Sequence, residues 1–181
     1  MIFNLTKLVG AFTIDVHPSQ DSRGWFARTF CKNEFKKIGH TGEWLQLNHS
    51  FTRELGTIRG MHFQLAPHRE IKLVRCIAGS VFDVIIDLRK ESPTFLKWFG
   101  LELSAMNRKM IYIPEGFAHG FQTLTDNAEL IYHHSQFYEP GCEGGIRYND
   151  PAIAIEWPSK LTNISERDEQ HPLLTNQFKG I

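Results

Sequence analysis

An excess of charge of either sign is missing from this 181-residue sequence, in which twenty Lys and Arg balance twenty Asp and Glu. A polyanion-binding face draws on a basic surplus, so the balance gives no support to a nucleic-acid or membrane-surface role. Cysteine is sparse: Cys31, Cys76 and Cys142 are widely spaced and odd in number. That argues against a disulfide framework and for reduced thiols in a cytoplasmic protein. No apolar run approaches the roughly 20 residues of a membrane-spanning helix. The first residues lack the charged-then-apolar pattern of a secretory signal. Internal repeats, charge runs and low-complexity linkers are also absent. A single domain over residues 1–181 is therefore expected, since this length suits one good core and is short for two.

Long helical periodicity is scarce as well, and strand signals take its place. Residues 71–77 alternate cationic and apolar side chains, Gly79-Ser80 reads as a turn, and 81–88 run on as a second strand. The pattern predicts a hairpin or meander. Residues 96–103, 110–113, 120–124 and 130–137 are further strand candidates, separated by Gly, Pro and Asn turns. Many short strands predict a mainly β, antiparallel sandwich or barrel with a few short helices. A helix is expected over 32–38, capped by Asn33 and ended by Gly39. Another is expected at Ser165, where Ser-x-x-Asp168 resembles a capping box. The apolar residues Leu161, Ile164, Leu173, Leu174 and Phe178 predict a C-terminal tail packed on the barrel.

Nine histidines are many for this length. His17, His40, His68 and His171 stand beside Pro or Gly and are expected in exposed loops. His49 follows Asn48 in a polar stretch and is a candidate supporting group. His133 and His134 are adjacent in a strand, so only one can face the interior. His62 and His119 lie in glycine-flanked strand segments and are the candidates for chemistry. Residues 113–119, Ile-Pro-Glu-Gly-Phe-Ala-His, have the Pro-x-Gly-x-x-His form of a cupin barrel's second motif. The segment around His62 lacks the His-x-His that a metal-binding cupin needs, and Lys72 would repel a divalent ion. No metal is expected.

Side-chain acid–base chemistry suits these residues better. A neutral His takes a proton from a carbon acidified by a neighbouring ketone. Lys72 can stabilise the resulting enolate. Returning a proton on the opposite face needs a second acid, and Tyr132 or Tyr138 can fill that place. A buried carboxylate would hold the His tautomer; Asp83, Asp87 and Asp168 are candidates that spacing does not rank. His62 and Gln64 share a strand face, and Arg59 joins them only across a bulge, for which Gly60 is the natural position.

With these residues in view, the chain resembles the dTDP-4-dehydrorhamnose 3,5-epimerase family from about residue 12 to residue 172. The resemblance is carried by Asp21-Ser-Arg23-Gly24-Trp-Phe26, Gln46-Leu-Asn48-His-Ser50 and Gly56-Thr-Ile-Arg59-Gly60-Met-His62-Phe-Gln64. It continues through Lys72-Leu-Val-Arg75, Asp87-Leu-Arg89, Ser92-Pro93-Thr94 and the 113–121 segment, then Tyr132, Tyr138-Glu-Pro140, Gly145-Ile146, Asp150-Pro151 and Ser165-x-x-Asp168. It implies a cofactor-free enzyme acting on a dTDP-4-keto-6-deoxyhexose. His62 would be the base, oriented by Asp168, with Lys72 stabilising the enolate and Tyr132 acting as the acid. Gln46, Asn48, Arg59 and His119 would line the sugar and phosphate pocket. Arg23, Phe26 and Glu143 would serve the nucleotide side, with Tyr138 and Arg167 at the pocket. It further implies a jelly-roll homodimer with N-terminal strands exchanged. Departures from the family's pattern fall at Arg28, at a position expected near the base, and at Leu47, Met61 and Phe63.

Overall fold

In a computed structural model describing residues 1–181, thirteen strands and two one-turn helices run along the chain. β1 (Ile2–Leu5) and β2 (Phe12–Asp15) form an N-terminal hairpin, and β3 (Ser19–Asp21) and β4 (Gly24–Phe26) form a second, exposed one. α1 (Lys32–Phe35) tightens into a 3-10 turn and stops at Gly39, where φ is 83° and a side chain would be strained. Its N-cap is Cys31, not Asn33, because Lys32 already has helical backbone; Cys31 gives no side-chain cap bond. β5 (Gln46–Thr52), β6 (Ile58–Gln64), β7 (Lys72–Ala78) and β8 (Ser80–Asp87) follow. β9 (Trp98–Ser104), β10 (Met110–Ile113), β11 (Phe117–Thr123), β12 (Ala128–His134), β13 (Glu143–Gly145) and α2 (Glu166–Glu169) complete the set.

All the paired strands are antiparallel. One sheet has the order β1-β2-β10-β7-β12-β5 and the other β13-β6-β11-β8-β9. The two-residue period of the strands assigns each side chain to one of three apolar layers. Between the sheets lie Val74 and Cys76 of β7, Val81 and Ile85 of β8, and Ile111 and Ile113 of β10, with Phe121 and Leu130. The opposite parity of β8 sends Val84 and Ile86 outward, where Ile153, Trp157, Leu174 and Phe178 of the C-terminal segment cover them. The opposite parity of β7 and β10 sends Leu73, Met110 and Tyr112 toward Phe35 of α1. Full burial of each Val, Leu, Ile, Phe or Met among them contributes about 1.5–3 kcal/mol.

The hairpin expected at Gly79 is not formed. β7 pairs with β10 and β12, whereas β8 pairs with β11 and β9 in the facing sheet. Gly79 is a corner between sheets, and its φ of 66° and the 2.4 Å from an added Cβ to Thr125 Oγ1 leave room for no side chain. A glycine turn signals a change of direction; it does not say which strand the chain pairs with afterwards. His40 also departs from expectation: it is buried and stacked on Trp44 at 4.3 Å. Cys31, Cys76 and Cys142 are unpaired. No helix is long and apolar enough to cross a membrane.

Candidate active site

Inward parity places the polar side chains of both sheets around one cavity of about 680 Å³. Its position follows from β6. Met61 and Phe63 pack in the outer layer, so His62 and Gln64 point inward. Strict alternation would then turn Arg59 outward. Instead β6 carries an extra residue: His62 lies opposite His119 and Arg59 opposite Phe121, three positions on β6 against two on β11. The bulge expected at Gly60 is therefore present, and Arg59 joins His62 on the cavity wall. Glycine is required there because φ is 132° and an added Cβ would stand 2.5 Å from Gly120 Cα.

His62 donates from Nε2 to Asp168 Oδ1 at 2.8 Å, while Asp168 Oδ2 accepts from Gly60 N at 2.9 Å. The carboxylate reaches this place because Ser165 caps α2, its Oγ accepting from Asp168 N. Only half of the capping box forms, since the Asp168 side chain goes to β6. Burial would raise the Asp168 carboxyl, but the His62 bond and charge, with the Gly60 and Ser165 bonds, outweigh it and hold it at about 2. Geometry thus ranks the three candidate acids. Asp83 Oδ2 instead binds His119 Nε2 at 2.8 Å, and Asp87 is tied to Arg89, Ser92 and Thr94.

The facing sheet supplies Lys72 at the start of β7 and Tyr132 on β12. Burial raises the Tyr132 phenol above its ordinary value, against the opposing effect of its 3.0 Å bond with Ser50. Lys72 Nζ sits 3.1 Å from Glu70 Oε1. Burial would raise the Glu70 carboxyl, but His134 and Lys72 prevail and keep it below the usual range. Gln46 and Asn48 of β5, and His119 of β11, complete these walls. At the rim, Tyr138 donates to Glu143 Oε2 at 2.9 Å and Arg167 donates to the same oxygen at 3.0 Å.

A family model described as dTDP-4-dehydrorhamnose 3,5-epimerase matches residues 5–176. The chain belongs to this family. It is 47% identical over 176 residues to dTDP-4-dehydrorhamnose 3,5-epimerase of Salmonella typhimurium, covering 96% of each chain. The Bacillus anthracis enzyme, solved with TDP and PPi bound, superposes with a TM-score of 0.92 at 38% identity, over 96% of this chain and 99% of that one. The Legionella pneumophila enzyme, solved in complex with dTDP-4-keto-L-rhamnose, gives a TM-score of 0.90 at 36% identity, over 95% and 92%. The mainly β, cupin-type fold expected from the resemblance is therefore the fold observed.

Membership gives weight to what the cavity gathers and what it leaves out. Eleven of the fourteen site residues singled out from sequence line it, Arg59, Tyr138, Glu143, Arg167 and Asp168 among them. Residues Arg23, Phe26 and Arg28 do not reach the cavity of their own chain. The first two ride on the exposed β3–β4 hairpin, where Arg23 pairs with Asp21. Arg28 lies 3.7 Å from Glu34. Glu70, His134, Ser50 and the partnering of Asp83 with His119 were not read from sequence as site features. The signals were faint: Glu70 precedes Lys72 on the same face, and His134 shares the inward parity of Tyr132.

One trio could in principle hold a metal: donor atoms of His62, Asp168 and His171 lie within 4.8 Å of one another. His171, expected in an exposed loop, sits beneath Asp168 because the chain after α2 folds back on Arg147. The donor set is a poor host. The Arg167 guanidinium stands 3.4 Å from His62 Nε2 and 3.6 Å from Asp168 Oδ1, a fixed cation in the space an ion would need.

Proposed function

We propose that this protein epimerises dTDP-4-dehydro-6-deoxy-D-glucose at C3 and C5 to give dTDP-4-dehydro-L-rhamnose, without a cofactor. The observation that carries the reading is the origin of the two proton-transfer groups. His62 comes from β6 of one sheet and Tyr132 from β12 of the other. A sugar ring between the walls would have a base on one face and an acid on the other, as inversion at carbon demands. Because His62 Nε2 donates to Asp168, Nδ1 is left as the basic atom. It takes the proton from the carbon next to the C4 ketone, and the electron pair moves onto the carbonyl oxygen as an enolate. Lys72 donates to that oxygen. The raised phenol of Tyr132 keeps its proton at neutral pH and delivers it to the opposite face of the carbon. Arg59 supplies a further donor to the substrate, and His119, held by Asp83, lines the pocket beside it.

We also assign the chain to a homodimer in the cytoplasm, with N-terminal strands as the exchanged element. Ile2, Leu5, Trp25, Phe26, Leu47 and Phe51 expose apolar side chains on β1, β4 and β5, a surface that suits a second copy. Arg23 and Phe26 would then serve the nucleotide side of the partner's cavity. Light scattering decides this; a monomer at micromolar concentration overturns it.

Proton NMR of dTDP-4-keto-6-deoxy-D-glucose incubated with the protein in deuterated water tests the chemistry. Deuterium is expected at both C3 and C5, and His62→Ala should abolish both. Incorporation at one carbon alone would make the enzyme a monoepimerase, and wild-type exchange in His62→Ala would remove His62 as the base.

A further inference from the structure

A carboxylate beside Lys72 is out of place in a site that must stabilise a negative oxygen, because it weakens the field of the ammonium there. Glu70 nevertheless lines the cavity with only a tenth of its side chain exposed. Its two oxygens are fully committed: Oε1 to Lys72 Nζ at 3.1 Å and Oε2 to His134 Nδ1 at 2.6 Å. The backbone explains the convergence. Glu70 and Lys72 are two positions apart, and His134 stands directly across from Lys72 in the β7–β12 ladder. On its far side, His134 Nε2 lies 3.2 Å from Asn48 Nδ2 of β5.

The donor and acceptor types fix this chain of contacts. A carboxylate only accepts, so His134 Nδ1 carries a proton. An amide nitrogen only donates, so His134 Nε2 is unprotonated and accepts from Asn48. The imidazole is therefore neutral, and the carbonyl end of the Asn48 amide is turned away from it. We propose that Glu70 is a positioning residue: it clamps the Lys72 ammonium and, through His134, sets which end of Asn48 faces the ligand. A lysine has four side-chain torsions, and fixing its nitrogen before the substrate arrives removes an ordering penalty from the transition state. The clamp exchanges some field strength for position. Its effect on turnover rests on the epimerase reading above; the clamp itself does not.

The test uses the full chain with Glu70→Ala, Glu70→Gln and His134→Ala. Melting temperature and thymidine diphosphate affinity report folding. Acetylation of Lys72 by a water-soluble acetyl N-hydroxysuccinimide ester, without substrate and read by mass spectrometry, reports the clamp alone. Freed from its partner, Lys72 should acetylate about 10-fold or more faster in Glu70→Ala, a bound set by the strength of one hydrogen bond to a charged group. Glu70→Gln should fall between, since glutamine keeps an acceptor for the ammonium. A wild-type rate in Glu70→Ala overturns the clamp, and if that variant does not fold, a wild-type rate in Glu70→Gln does so. With dTDP-4-keto-6-deoxyglucose, kcat in Glu70→Ala should fall about tenfold with KM within about twofold, the signature of lost transition-state positioning. His134→Ala should raise KM and leave kcat within about twofold. The same loss of kcat in both variants would overturn the division of roles. Should the wild type itself not turn over, the epimerase reading fails while the acetylation rates still decide the clamp.

Discussion

Replacing Asp168 by Asn keeps the size of the side chain and removes only the charge and one acceptor. Gly60 N–H needs an acceptor at 2.9 Å, so the amide oxygen must take that place. The amide NH2 then faces His62 Nε2, which now has to present a lone pair, and the imidazole proton moves to Nδ1. The atom proposed as the base is thereby occupied. In hydrolase triads, the same carboxylate-to-amide change lowers kcat by about 10⁴ through the same tautomer switch. A loss of about 10³–10⁴, or about 4–5.5 kcal/mol in the barrier, is expected for Asp168→Asn. Binding of thymidine diphosphate should be unchanged. Stability should change in a pH-dependent way. Asp168 is held at about 2 against an ordinary 3.8, which corresponds to about 2–3 kcal/mol. A depressed carboxyl contributes that stability above its unfolded value and loses it as pH falls through the folded value. The gap between wild type and variant, measured by urea unfolding, should be full above about pH 5 and close between about pH 4 and pH 2. Deuterium exchange at C3 and C5 is the activity assay. A variant that keeps more than about a tenth of wild-type exchange would refute the tautomer argument and leave Asp168 a folding residue only.

Tyr132→Phe should retain proton abstraction, read as deuterium entering recovered substrate, while epimerised product falls about 10²-fold; equal loss of both would make Tyr132 a binding group. Gly60→Ala forces a Cβ to 2.5 Å from Gly120 Cα at a φ of 132°. It should destabilise the protein by about 3 kcal/mol or more and displace His62; an unchanged melting temperature would mean that the bulge relaxes freely.

How much of this was legible in the sequence depended on distance along the chain. The strand over Met110–Ile113, the stop at Gly39 and the bulge at Gly60 were readable because each is written in adjacent residues. The sheet assignment of β8 was not, since pairing partners lie far away and Gly79 marks only a bend. The same limit applied to the site. His62 and Asp168 are 106 positions apart, so spacing could not choose Asp168 over Asp83. His119 and Asp83 are 36 apart and joined through neighbouring strands. The resemblance to a family, carried by many short motifs, supplied the assignment that periodicity could not. Arg23 and Phe26 show the converse: a motif can name a residue whose place in one chain is away from the cavity.

The carboxylate proposed to orient the base lies in the one-turn helix after the last strand, anchored by the Ser165 cap, by its bonds to Gly60 and His62, and by a short bridge between Ile58 and Ile164. During synthesis, both sheets have left the ribosome before Asp168 does. Until the Asp168 carboxylate docks on β6, nothing fixes the tautomer of His62. On the proposed mechanism, the C-terminal helix therefore completes a site that the two sheets only begin.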